Sequence, residues 1–98
     1  MEDHVRIATY QLLKGTAEEA ADLARNGMLP IFKKQPGFIR YGVALLDNGK
    51  VASVSLWETH DEAEAAVKAA ADFVKENMAD VIKLEESHVG DFFFDESA

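Results

Sequence analysis

Residues 35–62 read QPGFIRYGVALLDNGKVASVSLWETHDE. Pro36-Gly37 opens the stretch as a turn, and Phe38 to Leu46 is strand-like. Asp47-Asn48-Gly49-Lys50 is a tight turn, Val51 to Trp57 is the return strand, and Thr59-x-x-Glu62 starts a helix. Asn48-Gly49 is the preferred pair for a two-residue type I′ turn, in which both residues need positive φ. That turn predicts Leu46 opposite Val51, Ala44 opposite Ser53, Gly42 opposite Ser55 and Arg40 opposite Trp57.

Working outward, His4 to Leu12 is rich in β-branched and aromatic residues and predicts a first strand. Lys14-Gly15 ends it. Thr16-x-x-Glu19 is a capping box, in which the Thr hydroxyl takes an orphan amide and the Glu carboxylate reaches back. Ala17, Ala20, Ala21, Ala24 and Met28 then fall on one helical stripe. Pro30 lacks a backbone donor and clashes with the preceding turn, so a kink or break is expected near Gly27. Leu29, Ile31 and Phe32 continue in a second helical piece beyond it.

Beyond the hairpin, a second capping box is expected from Thr59 to Glu62. Ala63, Ala66, Val67, Ala70, Phe73 and Val74 recur at helical spacing behind it. Met78, Val81 and Ile82 either extend that helix or form a separate turn. Leu84 to Phe94 predicts the last strand, and residues 95–98 a frayed tail. The order β-α-β-β-α-β is that of a ferredoxin-like α+β fold: a four-stranded antiparallel sheet with both helices on one face.

The 98 residues suit a single domain over 1–98, with its core at about 4–94. A formal net charge of −8 disfavours nucleic acid and anionic membranes as partners, since both require clustered Lys and Arg. The chain has no cysteine, hence no disulfide framework or thiolate chemistry. Met1-Glu2-Asp3-His4 lacks the basic-then-apolar pattern of a signal peptide, and no apolar run approaches a membrane span. The expected location is the cytoplasm.

The expected register sorts the hairpin into two faces. Ile39, Tyr41, Val43, Leu45, Ala52, Val54 and Leu56 would lie under the helices. Phe38, Arg40, Gly42, Ala44, Leu46, Val51, Ser53, Ser55 and Trp57 would lie on the open face. An apolar open face calls for cover, and a homodimer with sheets packed face to face supplies it. Gly42, Ala44, Ser53 and Ser55 are small, so the paired sheets either enclose a pocket or are filled by partner side chains.

Taken together, these residues resemble an antibiotic-biosynthesis-monooxygenase-type domain of the dimeric α+β barrel superfamily. Lys14-Gly15-Thr16-Ala17, Gln35-Pro36-Gly37-Phe38, and Val54 to Thr59 joined to Glu62-Ala63 carry the resemblance, which spans residues 4–94. It implies a dimeric α+β barrel. The family includes cofactor-independent quinone-forming monooxygenases, haem-degrading monooxygenases and proteins of unassigned activity. The haem-degrading members carry an Asn, a Trp and a His ligand at positions matching Ala8, Ala66 and Glu76. All three are absent here, and a haem iron needs an axial donor such as imidazole, so haem degradation is disfavoured.

The resemblance implies a monooxygenase acting without a cofactor on a small aromatic or polyketide-like molecule. The alternative is a non-catalytic dimer that binds a small ligand or serves a stress or regulatory role. In the first reading Arg40 stabilises a phenolate or enolate and His88 is the base. Tyr10, Phe38, Ser53, Ser55 and Trp57 then line the substrate pocket. Four of these have a plainer reading as well: Trp57 as a large hydrophobe closing the barrel end, Arg40 as an ion-pair partner, His88 as a surface residue and Tyr10 as a core residue with a satisfied hydroxyl. If Ala8 points inward, Arg6 and Tyr10 do too. His60-x-x-x-Glu64 has metal-edge spacing but offers only two ligands, so no metal is expected. Phosphate loops and nucleophile elbows are absent.

Overall fold

The computed structural model describes residues 3–97. The elements are β1 (His4–Leu12), α1 (Ala17–Leu23), a π-helical turn (Ala24–Met28), α2 (Leu29–Lys33), β2 (Phe38–Leu45), β3 (Val51–Trp57), α3 (His60–Asn77) and β4 (Ile82–Asp91). They form a four-stranded antiparallel sheet in the order β2-β3-β1-β4, the ferredoxin-like α+β arrangement. The helices share one face of the sheet. Two buried clusters fill the space between: Ala24, Met28, Phe32, Trp57, Ala63 and Ala66 in one, Ala8, Tyr10, Ala20, Val51, Met78 and Ile82 in the other.

The Thr16 capping box forms as expected, with the Glu19 amide donating to Thr16 Oγ1 at 3.2 Å and the Thr16 amide to Glu19 Oε1 at 3.0 Å. At Thr59 only half a box forms. The Glu62 amide donates to Thr59 Oγ1 at 3.1 Å. The Glu62 carboxylate instead lies over Gly37, which has φ +78, and Oε1 is buried without a hydrogen-bond partner among the described residues. The expected kink is a π-helical turn across Gly27 that closes on the Leu29 N–H donating to Ala24 O. The wider turn accommodates Pro30, which enters α2 in its first turn. Gly27 sits against the Phe73 ring, where a Cβ would have no room, so the turn packs directly on α3.

The hairpin register departs from the expectation by one residue. Leu46 N–H donates to Lys50 O at 2.8 Å and Gly49 N–H to Leu46 O at 2.9 Å. Gly49 alone has positive φ in this turn, at +83. The loop is therefore Asp47-Asn48-Gly49, a type I turn completed by a left-handed glycine, not a two-residue type I′ turn. Asn48 stays at negative φ because its Oδ1 accepts the Lys50 amide at 3.0 Å, a local bond that favours a turn without the left-handed backbone.

This slip turns every β3 side chain to the other face. Leu45 now opposes Val51, Val43 opposes Ser53 and Tyr41 opposes Ser55. Val51, Ser53, Ser55 and Trp57 lie under the helices, while Ala52, Val54 and Leu56 face the open side. A bulge between Phe38 and Arg40 adds a second correction. Phe38 opposes Trp57 and turns inward, Arg40 opposes Leu56 and turns outward, and Ile39 and Leu45 are exposed. Strand β4 ends at Asp91, short of the expected Phe94. Its neighbour β1 starts at His4, and the last backbone bond, Phe92 N–H to Asp3 O, spans 3.2 Å. Phe93 and Phe94 are exposed beyond it. The frayed tail expected over 95–98 ends at residue 98, which lies outside the described residues, as do residues 1 and 2.

Candidate active site

Strand alternation in β1 places Arg6, Ala8 and Tyr10 under the helices, all buried. Arg6 is 2% exposed. Its Nη1 donates to Ser53 Oγ at 3.0 Å and its Nη2 to Tyr10 Oη at 3.0 Å. Its Nε is buried without a hydrogen-bond partner, and its Cζ lies 5.8 Å from the Phe32 ring centroid. No carboxylate forms an ion pair with it among the described residues. A guanidinium in this position is a buried cation held by neutral groups, an arrangement that costs stability and leaves a positive field unanswered.

Tyr41 approaches from β2. Burial pushes its phenol above the ordinary value, opposed by the Ser53 hydroxyl and the Arg6 guanidinium. At neutral pH it is a protonated, neutral side chain. Arg6, Tyr10, Tyr41 and Ser53, with apolar neighbours such as Met28 and Phe73, border a small, partly open space of about 30 Å³, room for about one water.

The same Arg6 and Tyr10 also form the floor of a larger cleft of about 380 Å³ between α3 and β4. Val67 and Val74 wall it on the helix side, and Leu84 and Ser87 on the strand side. The cleft follows from the topology. Ser87 pairs with Ala8 and Leu84 with Tyr10, so both lie on the helix-covered side of the sheet. Yet β4 is an edge strand, and Leu84 and Ser87 stay exposed beside α3. Mostly apolar walls surround a few polar groups, Arg6 and Tyr10 on the floor with Lys75, Lys83 and Ser87 on the sides, an arrangement typical of small-molecule sites.

The residues singled out in the sequence separate into three groups. Tyr10 and Ser53 join Arg6 in the pocket. Trp57, Phe38 and Ser55 pack inside the chain: Trp57 is fully buried, its ring centroid 5.2 Å from that of Phe32 and 5.4 Å from that of Phe38, and its Nε1 donates to Ser55 Oγ at 2.9 Å. Arg40 and His88 stand on the open face, opposite Leu56 and Ile7 respectively, and both are exposed. His88 lies 3.6 Å from Glu86. The expected pairing of Arg40 with Trp57 is therefore absent, because the slip and the bulge separate them. Arg6 was readable as a lone arginine flanked by Val5 and Ile7, on the same strand face as Ala8 and Tyr10; Tyr41 left no such signal.

A second polar cluster joins three elements at the opposite end of β1 from Leu12. His4 Nδ1 and His60 Nδ1 both donate to Asp91 Oδ1, at 2.6 and 2.9 Å, and His60 Nε2 donates to Glu64 Oε1 at 2.8 Å. The Asp91 and Glu64 carboxylates raise the His60 pKa, and His60 and His4 in turn lower that of Asp91. The two ligands visible as His60-x-x-x-Glu64 are thus joined by two more from distant parts of the chain.

The model of the antibiotic biosynthesis monooxygenase family matches residues 4–74, most of the chain. The chain belongs to this family. Solved structures share the family fold. MupZ from Pseudomonas fluorescens aligns with a TM-score of 0.70 at 11% identity, over 91% of this chain and 71% of its own. SnoaB, a cofactor-independent oxygenase from Streptomyces nogalater, aligns with a TM-score of 0.65 at 18% identity, over 99% and 97%. A conserved protein from Methanosarcina mazei aligns at 0.66 and 14%, over 94% and 92%. At these identities the likeness is one of fold. Curated proteins yield no match. No helix among the described residues is long and apolar enough to cross a membrane.

Proposed function

We propose that this family member is a cofactor-independent monooxygenase that oxidises a small aromatic or polyketide-like phenol or enol in the α3–β4 cleft. It works as a cytoplasmic homodimer. Membership of the monooxygenase family supports the reaction class. One observation carries the site: Arg6 is a buried cation with a free Nε and no carboxylate partner among the described residues, at the floor of an apolar cleft.

An anionic substrate answers that field. The guanidinium stabilises the phenolate or enolate oxygen and so lowers the substrate's own pKa. Tyr10 accepts from Arg6, which leaves its hydroxyl proton to donate to the same oxyanion. The substrate proton leaves to water. The electron-rich carbon of the anion then reduces O2. In net terms a CH2 becomes C=O: one oxygen atom of O2 enters the carbonyl, and the other departs as water with the two hydrogens. The apolar walls keep bulk water from the reacting carbon.

A non-catalytic ligand-binding dimer is the second reading. It is favoured by the lack of any His, Asp or Glu among the described residues lining the cleft. Oxygen uptake with anthrone as probe distinguishes the two. The wild type is expected to consume one O2 per anthrone above the uncatalysed rate, and Arg6→Met to lower kcat/KM by about 100-fold. Arg40→Ala and His88→Ala are expected to turn over normally. Anthrone-dependent thermal stabilisation without oxygen uptake would establish the binding reading. Loss of turnover in Arg40→Ala and His88→Ala, with Arg6→Met unimpaired, would move the chemistry to the open sheet face.

A further inference from the structure

We propose that His4, His60 and Asp91 form a binding site for a divalent transition-metal ion of the zinc type, with Glu64 orienting the His60 ring. One ligand atom from each of the three residues lies within 4.8 Å of the others. They come from the start of β1, the start of α3 and the end of β4. The backbone pairs His4 with Asp91 directly, so the ladder itself holds two of the ligands together.

The geometry is that of a ligand set, and more than a surface ion pair. Two imidazole nitrogens point at one carboxylate oxygen, at 2.6 and 2.9 Å. Ligand atoms on a tetrahedral zinc stand about 3.3 Å apart, given bond lengths of about 2.0–2.1 Å. The two nitrogen–oxygen pairs therefore need to open by only about half an ångström, and all three ligand atoms already lie within 4.8 Å of one another. A metal ion then takes the place of the two protons that bridge the rings to Asp91.

Glu64 is the second, independent observation. Its Oε1 lies 2.8 Å from His60 Nε2, on the far side of the ring from Asp91. A carboxylate on the outer nitrogen of a ligating histidine fixes the tautomer and turns the inner nitrogen toward the metal. The donor set of two imidazoles and one carboxylate suits Zn, Co, Ni or Cu, and is a poor match for Mg or Ca, which prefer all-oxygen shells. Three protein ligands leave a fourth position for water. The ion would fasten β1, α3 and β4 together at one end of the molecule. The site shares no residue with the Arg6 cleft and stands or falls independently of it.

The test is calorimetric titration of the tag-free, chelator-treated full chain with zinc chloride, and with magnesium chloride as control. The wild type is expected to bind one zinc per chain, to show a raised Tm with zinc and to ignore magnesium. His60→Gln and His4→Gln are expected to abolish zinc binding. Glu64→Gln, an exposed position remote from the core, is expected to keep the fold and weaken zinc binding about 10- to 100-fold. The proposal is overturned if the wild type gives no saturable zinc binding. It is equally overturned if His4→Gln and His60→Gln, checked as folded by circular dichroism, bind zinc as the wild type does.

Discussion

Arg6 is the residue on which the fold and the proposed function make opposing demands. Folding places a guanidinium at 2% exposure with hydroxyl partners at two of its nitrogens and none at the third. A replacement of similar shape without the charge removes the desolvation cost. We expect Arg6→Met to raise the unfolding free energy by about 1 kcal/mol or more in urea denaturation while lowering kcat/KM by about 100-fold. A destabilised Arg6→Met would mean that the cation is satisfied in the folded chain and has no field to offer a ligand. Gly37 shows the same economy in miniature. It takes a left-handed φ of +78 and lies under the Glu62 carboxylate, so backbone and neighbour both require glycine there. Pro36-Gly37 was legible as a turn. The seating of Glu62 on it was not, because that contact joins a loop to a helix across sequence distance.

At the scale of elements, the strands, the helices and the Thr16 cap were legible in local pattern. The facing of β3 was not. It hung on the choice between two turns that both accept Asn-Gly, and that choice is made by where Asn48 places its side chain. A slip of one residue moved Ser53, Ser55 and Trp57 from the open face to the covered one. With them, side chains expected to line a space between two chains came to lie under the helices of one chain. The turn makes a prediction of its own. Only Gly49 is left-handed, so Gly49→Ala is expected to cost about 1 kcal/mol of stability, measured by urea unfolding, and Asn48→Ala only the smaller cost of one exposed side-chain bond. Equal and large losses at both positions would favour the two-residue turn. Arg6 and Tyr10 share a face of β1, but Ser53 joins them only through the β1–β3 ladder, and the His4–His60–Asp91 cluster needs the β1–β4 ladder and the start of α3; neither long-range meeting has a local spacing to read.

At the scale of the whole molecule, the sheet still has one face without helices. Val54 and Leu56 are only half-buried there, and Ile7 is 39% exposed. The apolar open face expected from the hairpin is thus built from different residues than expected. It remains the surface on which a second copy would pack. Sedimentation velocity is expected to give twice the 10.8 kDa chain mass, and Val54→Asp to return it to a single chain. A wild type that sediments as one chain at all concentrations would remove the dimer and leave the cleft intact, since the cleft belongs to one chain. The central claim is therefore the location of the ligand, and amide chemical-shift mapping during an anthrone titration tests it without requiring turnover. Shifts clustered at Arg6, Tyr10, Ala71, Val74 and Ser87 are the predicted result. Shifts clustered instead at Gly42, Ala44, Val54 and Leu56, with the Arg6 region silent, would contradict the account.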